Sequence, residues 1–429
     1  MEEDFEVIVV GGGIAGTVCA LALAQQGHEV ALVERGEAPG SKNLSGGVFY
    51  CDVMNQVIPD FAQVAPVERR ITRNCLTFLT PDGHVGLDIF DSRLGATGNA
   101  VSVLRSKLDP WLAEQAEAAG VAVVPGMLAD RVLVEDGRVT GVAVGEDELR
   151  CKVVVAADGI NSFVARSIGL RHASPNKHLA VGVKSVVELG ADVMASRFGL
   201  AEGEGTAWAM VGEATQGVAG GGFIYTNRTS VSLGVVLRLD SLVESGLASS
   251  DIHDAFLAHP SVAPLIAGGE LKEYGCHMTA EGGRAMLGRI HTDGLVVIGD
   301  AAGLTLNTGF AIRGMDLAAG SALAAARAID AALQADDVSA AGLARYPQEL
   351  ASSFVGHDLD TYANAPKLFE EDAMYRTVGP LAQDLFYRIY RHDGTPHQHA
   401  AKLAAQAWQN SDLTATEAAR IAAKGVAAL

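Results

Sequence analysis

The sequence predicts an α/β fold joined to a second domain on an antiparallel β-sheet and to a helical C-terminal region. Three observations carry this. The chain opens with an apolar run, a glycine-rich turn, a small-residue helix and a second apolar run, which together form a βαβ start. Two further apolar runs, "CKVVVAADG" from residue 151 and "GLVVIGDAAG" from residue 294, repeat that buried style. Between them, from about residue 175 to 285, the pattern changes to glycine-rich, strand-like segments such as "GGGFIYTNRTSVSLGVVLRL".

In order along the chain, Phe5 to Val10 is a largely apolar strand, GGGIAG a turn, and Thr17 to Gln26 a helix that Gly27 ends. His28 to Val33 is the second strand. Residues 51–100 are mixed, with short strand-like pieces at "CLTFLT" and "HVGLDIF". A helix spans Arg105 to Ala119 and stops at Gly120. Strands then alternate through "VAVVPGMLADRVLVEDGRVTGVAVG", with a hairpin turn at Asp136-Gly137. In the glycine-rich region one helix is expected near Asp251 to Ala258. A long helix follows "GLVVIGDAAG", and residues 345–429 read as mostly helical, broken at Pro366, Pro380 and Pro396. The expected division is a discontinuous first domain (1–75, 100–174 and 286–344), a sheet domain (76–99 and 175–285) and the helical region 345–429.

Composition narrows the function. Hydrophobic residues are 49% of the 429 and charged ones 19%, a globular balance. With 32 basic against 51 acidic residues the net charge is −19. That excludes a nucleic-acid binder, which needs a basic face, and repels an anionic membrane unless a local apolar patch overrides the field. The acidic start MEEDFEVIVV enters a strand with no basic leader, so the chain reads as cytoplasmic. The Ala-rich stretch from Leu317 to Leu333 is broken by Arg327 and Asp330. The five cysteines are scattered without C-x-x-C spacing, so no intrinsic iron–sulfur cluster or zinc site is expected. His397-x-His399 reads as solvated loop, and no metal site is expected.

Gly11, Gly13 and Gly16 form G-x-G-x-x-G between a strand and a helix, the Rossmann-type dinucleotide fingerprint. Its glycines permit the tight turn, the approach of a pyrophosphate and close helix–strand packing. The helix N-terminus offers free N–H groups to the phosphates. Glu34 ends the second strand, where an acid accepts hydrogen bonds from ribose hydroxyls.

Two later motifs decide between NAD and FAD. "VVVAADGINSFVARSIGL" holds Asp158-Gly159, then Ser162 and Arg166; "DGLVVIGDAAGLTLNTGFAIRGMDLA" holds Gly299-Asp300. They resemble the second and third fingerprints of FAD-dependent enzymes of the glutathione-reductase and aromatic-hydroxylase type. That resemblance implies that Asp300 binds the ribityl chain and that Asn307-Thr308-Gly309 lies along the flavin ring. It also implies that the following helix points its N-terminus at the N1–C2=O edge, favouring an anionic reduced flavin.

The loop "ERGEAPGSKNLSGGVFY" is narrower still. Through Glu34, Arg35, Gly36, Pro39, Gly40, Lys42, Asn43, Ser45, Gly46, Gly47 and Tyr50 it resembles the electron-transfer-flavoprotein:quinone oxidoreductase family, especially its short Fix-type (FixC) branch. Asn307, Thr308, Gly309, Arg313, Gly314, Met315 and Asp316 resemble the same family's third fingerprint. "VLRSKLDPWLAEQAEAAG" resembles its R-x-x-F-D-x-W-L-A helix, with Leu108 in place of Phe. The resemblance implies a flavin contact from Arg105, with Asp109 and Trp111 as packing residues. Gly46 and Gly47 would lay backbone on the isoalloxazine face, and Arg35, Lys42, Asn43 and Ser45 would belong to the same cofactor loop, the last three as donors to the N5/O4 edge or the phosphates.

Long family members end in a ferredoxin-like segment with four cysteine ligands, whereas here no cysteine follows Cys276. The resemblance therefore implies a complex. A two-subunit electron-transfer flavoprotein would be the donor, this FAD protein the quinone-side module, and a separate ferredoxin-like subunit would carry the cluster. Such complexes split the electrons of NADH between a low-potential carrier and quinone. Reaching quinone implies peripheral contact at the inner face of the cell membrane, through an exposed apolar patch in the second or C-terminal domain. No catalytic acid, base or nucleophile is demanded. Phe223 and Tyr225 read as sheet core rather than as quinone pocket. The alternative is a stand-alone NAD(P)H-dependent FAD monooxygenase or geranylgeranyl-type reductase. Monooxygenases usually have a proline after the third fingerprint, where this chain has "LTLNTGFAIRG". A further reading is a flavin-bearing subunit that only bridges partners.

Overall fold

The computed structural model describes residues 3–41, 43, 46–95 and 99–428. The first sheet has eight strands. At its heart Leu295–Val297, Asp147–Ala156, Phe5–Val10, Val30–Glu34 and Ala122–Pro125 run parallel in that order. Continuous apolar runs such as Val7-Ile8-Val9 and Val153-Val154-Val155 are fully buried, as a sheet covered on both faces requires. The hairpin Arg131–Glu135 and Arg138–Val144 pairs antiparallel with the early part of Asp147–Ala156.

The first helix runs Ile14–Gln25, so it begins closer to the glycine turn than the pattern suggests. Gly13 is its extended N-terminal cap, and the small residues after it allow the Ala-rich helix Met315–Gln334 to pack against it. Tyr346, fully buried, donates from its hydroxyl to the carbonyl of Val297 at 2.9 Å and ties the C-terminal region to this sheet.

The second sheet has nine strands, in the order Glu270–Ala280, Leu179–Glu188, Ser230–Arg238, Gly220–Thr226, Glu204–Gly212, Arg69–Thr80, Ala100–Val103 and Gly47–Tyr50, with Gly83–Phe90 beside Arg69–Thr80. It draws in strands from Gly47 onward, so the expected boundary at residue 76 lies well inside it. Its pairings are antiparallel except one: Arg69–Thr80 runs parallel to Glu204–Gly212, from Arg70 beside Glu204 to Leu79 beside Gly212. A pairing so distant in sequence leaves no local signal.

The two faces of this sheet differ. Val183, Leu233, Val235, Leu237 and Ile224 share a core with Met194, Phe198, Ile252 and Phe256 from the helices Ala191–Phe198 and Ser249–Ala258. The opposite face carries Gly182, Gly221, Gly234 and Gly275, and there Gly46, just before the strand Gly47–Tyr50, meets Ser232. The helix Val378–Tyr390 packs on Arg69–Thr80 and Gly83–Phe90. The last helix, Ala415–Ala428, is anchored by Glu371, which takes ion pairs from Arg420 at 2.8 Å and Lys424 at 2.5 Å.

Candidate cofactor site

The cleft lies where the ends of the first sheet meet the glycine face of the second. Gly11 has φ +112°, and a Cβ there would overlap the Ala157 carbonyl of the neighbouring strand. A Cβ at Gly16 would overlap the Gly11 carbonyl. Both positions therefore exclude a side chain by backbone contact. Gly13 makes no side-chain cap, which leaves the first-turn N–H groups of its helix unsatisfied within the helix. A Cβ on Gly13 would have the Arg105 Nη2 at 3.7 Å and the Asn43 Nδ2 at 4.0 Å. Helix N–H groups, a guanidinium and an amide thus converge as donors, the chemistry a pyrophosphate requires.

Glu34 is buried and held by two main-chain donors, Gly12 N–H to Oε2 at 2.8 Å and Gly36 N–H to Oε1 at 2.6 Å. Each oxygen keeps a lone pair for a ribose hydroxyl. Arg35, next in sequence, is exposed, and its charge reaches Asp158.

Asp109 does more than pack. Arg105 grips it with Nε and Nη2, both at 2.6 Å, and Asn43 Nδ2 donates to the same carboxylate at 2.6 Å. Its side chain is completely buried. Burial alone would lower the Arg105 pKa; the charge and hydrogen bonds of Asp109, with Asp300 beyond, raise it instead. Asp109 is a positioning residue, because it aims two donors at the cleft. The signal available in the sequence is the Arg-x-x-x-Asp spacing at a helix start, which places both on one face.

Asp158 accepts from the Val164 N–H at 2.9 Å through Oδ2, while its buried Oδ1 has no partner. Burial raises its pKa. Gly159, at φ +77°, has open space around its Cα. Gly299 has φ +59° and packs on Ala15 of the first helix, which brings Asp300 beside the glycine turn. Burial raises the Asp300 pKa, opposed by the charges of Arg105 and Lys184.

The segment after it is a small hairpin, Leu306–Asn307 against Ile312–Arg313. Asn307 accepts from the Gly309 N–H at 2.9 Å and donates to Glu281 at 3.1 Å. Thr308 Oγ1 accepts from the Ala311 N–H at 3.1 Å, and Gly309 supplies the left-handed turn at φ +79°. Glu281 is a further residue that the sequence does not single out. Its other oxygen is buried without a partner, and burial raises its pKa. Arg313 joins Asp316 at 2.7 Å and Asp358 at 2.6 Å and lies over the Tyr50 ring at 5.5 Å. It thereby holds the N-terminus of Met315–Gln334 against Gly47, whose Cβ position is 2.9 Å from Met315 Cε. Gly46, at φ +86°, lies on Ser232.

Gly11, Gly13, Gly16, Glu34, Asn43 and Arg105 therefore converge at one end of the cleft. Gly299 and Asp300 lie beside the first helix; Gly46 and Gly47 bridge the sheet and the following helix. Lys42 and Ser45 lie outside the described residues. Phe223 is buried, as expected of sheet core. It belongs to neither main hydrophobic cluster and sits on the glycine face, stacked on Tyr225 with ring centroids 4.9 Å apart. Among the described residues no group of three metal-ligating side chains occurs, and no helix is long and apolar enough to cross a membrane.

Converging anion donors, a fixed ribose acceptor and a buried acid beside them fit FAD. A family model described as "FAD binding domain" matches residues 4–202. The fold and site define an FAD-dependent oxidoreductase. Similarity reaches across nearly the whole chain. It is 42% identical over 403 residues, 94% of each chain, to the "Probable electron transfer flavoprotein-quinone oxidoreductase YdiS" of Escherichia coli K12. It is 41% identical over 397 residues, 92% of each chain, to "Protein FixC" of Salmonella typhi. The chain belongs to this FixC and electron transfer flavoprotein-quinone oxidoreductase-like family. Among solved structures, a geranylgeranyl bacteriochlorophyll reductase-like protein of Thermoplasma acidophilum shares the fold, with a TM-score of 0.72, 18% identity, and coverage of 98% of this chain and 99% of that one.

Proposed function

We propose that this chain passes electrons from a two-subunit electron-transfer flavoprotein to quinone. In this reading it is the FAD-bearing, quinone-side subunit of a Fix-type complex that also holds a separate ferredoxin-like subunit and bifurcates the electrons of NADH. The observation that carries the reading is the near full-length identity to a relative named for that activity. FAD supplies the electron chemistry when bound, exchanging electrons singly or in pairs. The chain's own part is to hold the pyrophosphate with Gly11–Gly16, Arg105 and Asn43, the ribose with Glu34, and the ribityl chain with Asp300. Such transfer needs a positioned ring and tuned charge rather than a general acid or base.

Quinone is drawn from a bilayer, so the reading includes peripheral contact with the inner face of the cell membrane. Its support is an apolar surface where Gly83–Phe90 meets Val378–Tyr390. Leu87, Ile89, Phe90, Phe386, Tyr387 and Tyr390 are all exposed there, on elements that pack together.

The test is anaerobic flavin absorbance. Purified holoprotein is mixed with NADH or NADPH alone, then with a reduced electron-transfer flavoprotein, then with a soluble quinone. Bleaching only by the flavoprotein, and recovery with quinone, is the expected result. Bleaching within seconds by a nicotinamide nucleotide alone overturns the proposal in favour of a stand-alone reductase or monooxygenase.

A further inference from the structure

Lys184 stands on the glycine face of the second sheet. Register places it directly opposite Gly234 on one side and Gly275 on the other, and Gly234 is in turn opposite Phe223. Four adjacent strands therefore present Gly275, Lys184, Gly234 and Phe223 in one row, with Gly182 and Gly221 in the row beside it. A side chain at Gly234 would meet the Val183 carbonyl and, at 3.0 Å, the tip of the Phe223 ring. The lysine stem runs over Gly182, where a Cβ would stand 3.7 Å from the Lys184 Cε. Its ammonium sits 5.7 Å from the centre of the Phe223 ring, which stacks on Tyr225.

Among the described residues this ammonium has no hydrogen bond and no ion pair, its one recorded contact being that ring. Other charges of the cleft are close enough to act on it: Arg105 repels it and Asp300 attracts it. The surroundings lower its pKa to about 8, burial first and Arg105 next. It is therefore mostly protonated at neutral pH. Lys184 is half-buried, and once a ligand fills the cleft a cation with no anion of its own becomes costly unless that ligand supplies the negative charge. The cleft takes FAD. Uptake of two electrons and one proton by the flavin leaves one negative charge on its ring, a charge the oxidised ring lacks.

We propose that Lys184 is a redox-tuning residue: its ammonium, projecting from the glycine face beside Phe223, favours the reduced, negatively charged flavin over the oxidised one. This rests on FAD binding alone and is independent of the electron donor and acceptor proposed above.

The experiment is a dithionite titration of the holoprotein with mediator dyes at pH 7, with FAD dissociation constants measured for both oxidation states. Neither an electron-transfer flavoprotein nor quinone is present, so its failure is separate from a failure of the proposed function. In Lys184→Met the oxidised cofactor is expected to bind about as in wild type. The reduced cofactor should bind on the order of tenfold less tightly, which lowers the midpoint potential by about 30 mV for a two-electron couple. Lys184→Arg should restore the potential, because it restores the charge. Lys184→Gln is a second neutral variant should the methionine protein not fold, with the same expected shift. Equal weakening of both oxidation states would place the lysine on the pyrophosphate and overturn the proposal. An unchanged potential in the neutral variants would overturn it equally.

Discussion

Removing the Asp109 carboxylate should damage this protein far more than deleting an ordinary helix side chain. In Asp109→Ala the Arg105 guanidinium loses both of its 2.6 Å bonds, and Asn43 loses its acceptor. Breaking one partner out of a buried ion pair costs about 3–5 kcal/mol, because the surviving charge is left uncompensated. The Arg105 side chain is 19% exposed and can partly turn to the cleft, which favours the lower end. Asp109→Asn keeps the shape but halves the strength of charge-assisted bonds, so about 1.5–2 kcal/mol is expected. The double variant Arg105→Ala/Asp109→Ala removes the orphaned charge, and should be less damaged than the two single effects summed, by about 1–3 kcal/mol. Urea unfolding of the apoprotein measures the stabilities of the wild type, both single alanine variants, Asp109→Asn and the double variant, and flavin fluorescence gives FAD affinity. Loss of two positioned donors should weaken FAD at least tenfold, or about 1.4 kcal/mol. If Asp109→Ala costs under about 0.5 kcal/mol, or if the double variant is simply additive, Asp109 only packs and the positioning argument fails.

Other expectations are direct. Gly16→Ala would drive a Cβ into the Gly11 carbonyl, so the variant should be recovered without FAD, read from its absorbance spectrum; a yellow, stable Gly16→Ala protein would refute the reading of the turn. The Glu371 pKa is held below the ordinary carboxylate value, first by the Lys424 hydrogen bond and also by Arg420. The sign follows: this anchor is complete above the unfolded value near 4.5 and is lost as pH falls through the lower folded value. Amide protection in Ala415–Ala428, corrected for the intrinsic pH dependence of exchange, should therefore fall below about pH 4.5, and Glu371→Gln should abolish that pH step; protection that is flat with pH would contradict it. Asn307→Ala removes an acceptor for Gly309 and a donor to Glu281, so exchange in residues 306–313 should rise severalfold while global unfolding shifts by about 1–2 kcal/mol at most; unchanged protection there would mean the hairpin is held by its strand pairs alone.

The parts of the site that were legible are those whose chemistry is local. Gly11, Gly13, Gly16 and Glu34 sit within one βαβ unit, and Gly16 answers to a contact with Gly11 that the turn itself creates. The second sheet was legible in kind but not in extent. Arg69–Thr80 finds its parallel partner in Glu204–Gly212, and no periodicity links segments so far apart. Asp109 reads as a packing residue because the Arg-x-x-x-Asp spacing marks only Arg105 as its partner and nothing nearby marks Asn43. Its role exists only once the loop delivers Asn43 to it. Phe223 and Lys184 lie on alternating strands that read simply as buried. Which face they join depends on Gly234, a residue of another strand.

The asymmetry of the second sheet ties these residues into one argument. Glycine within a strand costs about 0.5–1 kcal/mol relative to alanine, and it forgoes side-chain burial as well. Gly182, Gly221, Gly234 and Gly275 all fall on one face, while the other face carries Val183, Leu233 and Val235 packed against helices. The core face has glycine too, at Gly222, but there Phe256 and Ala214 fill the space that a side chain would take. Stripping one face of side chains lets a flat ring approach the backbone there, and it isolates the few side chains that remain. Phe223 and Tyr225 are stacked parallel to within 23°, and Lys184 reaches over the first of them. Arg313 and the packing of Gly47 on Met315 fix the N-terminus of Met315–Gln334 beside the strand Gly47–Tyr50. A helix N-terminus carries a partial positive charge. On the proposal above, the Lys184 ammonium is the positive group that this face offers to added electrons, and no proton-transfer residue is needed for it to act.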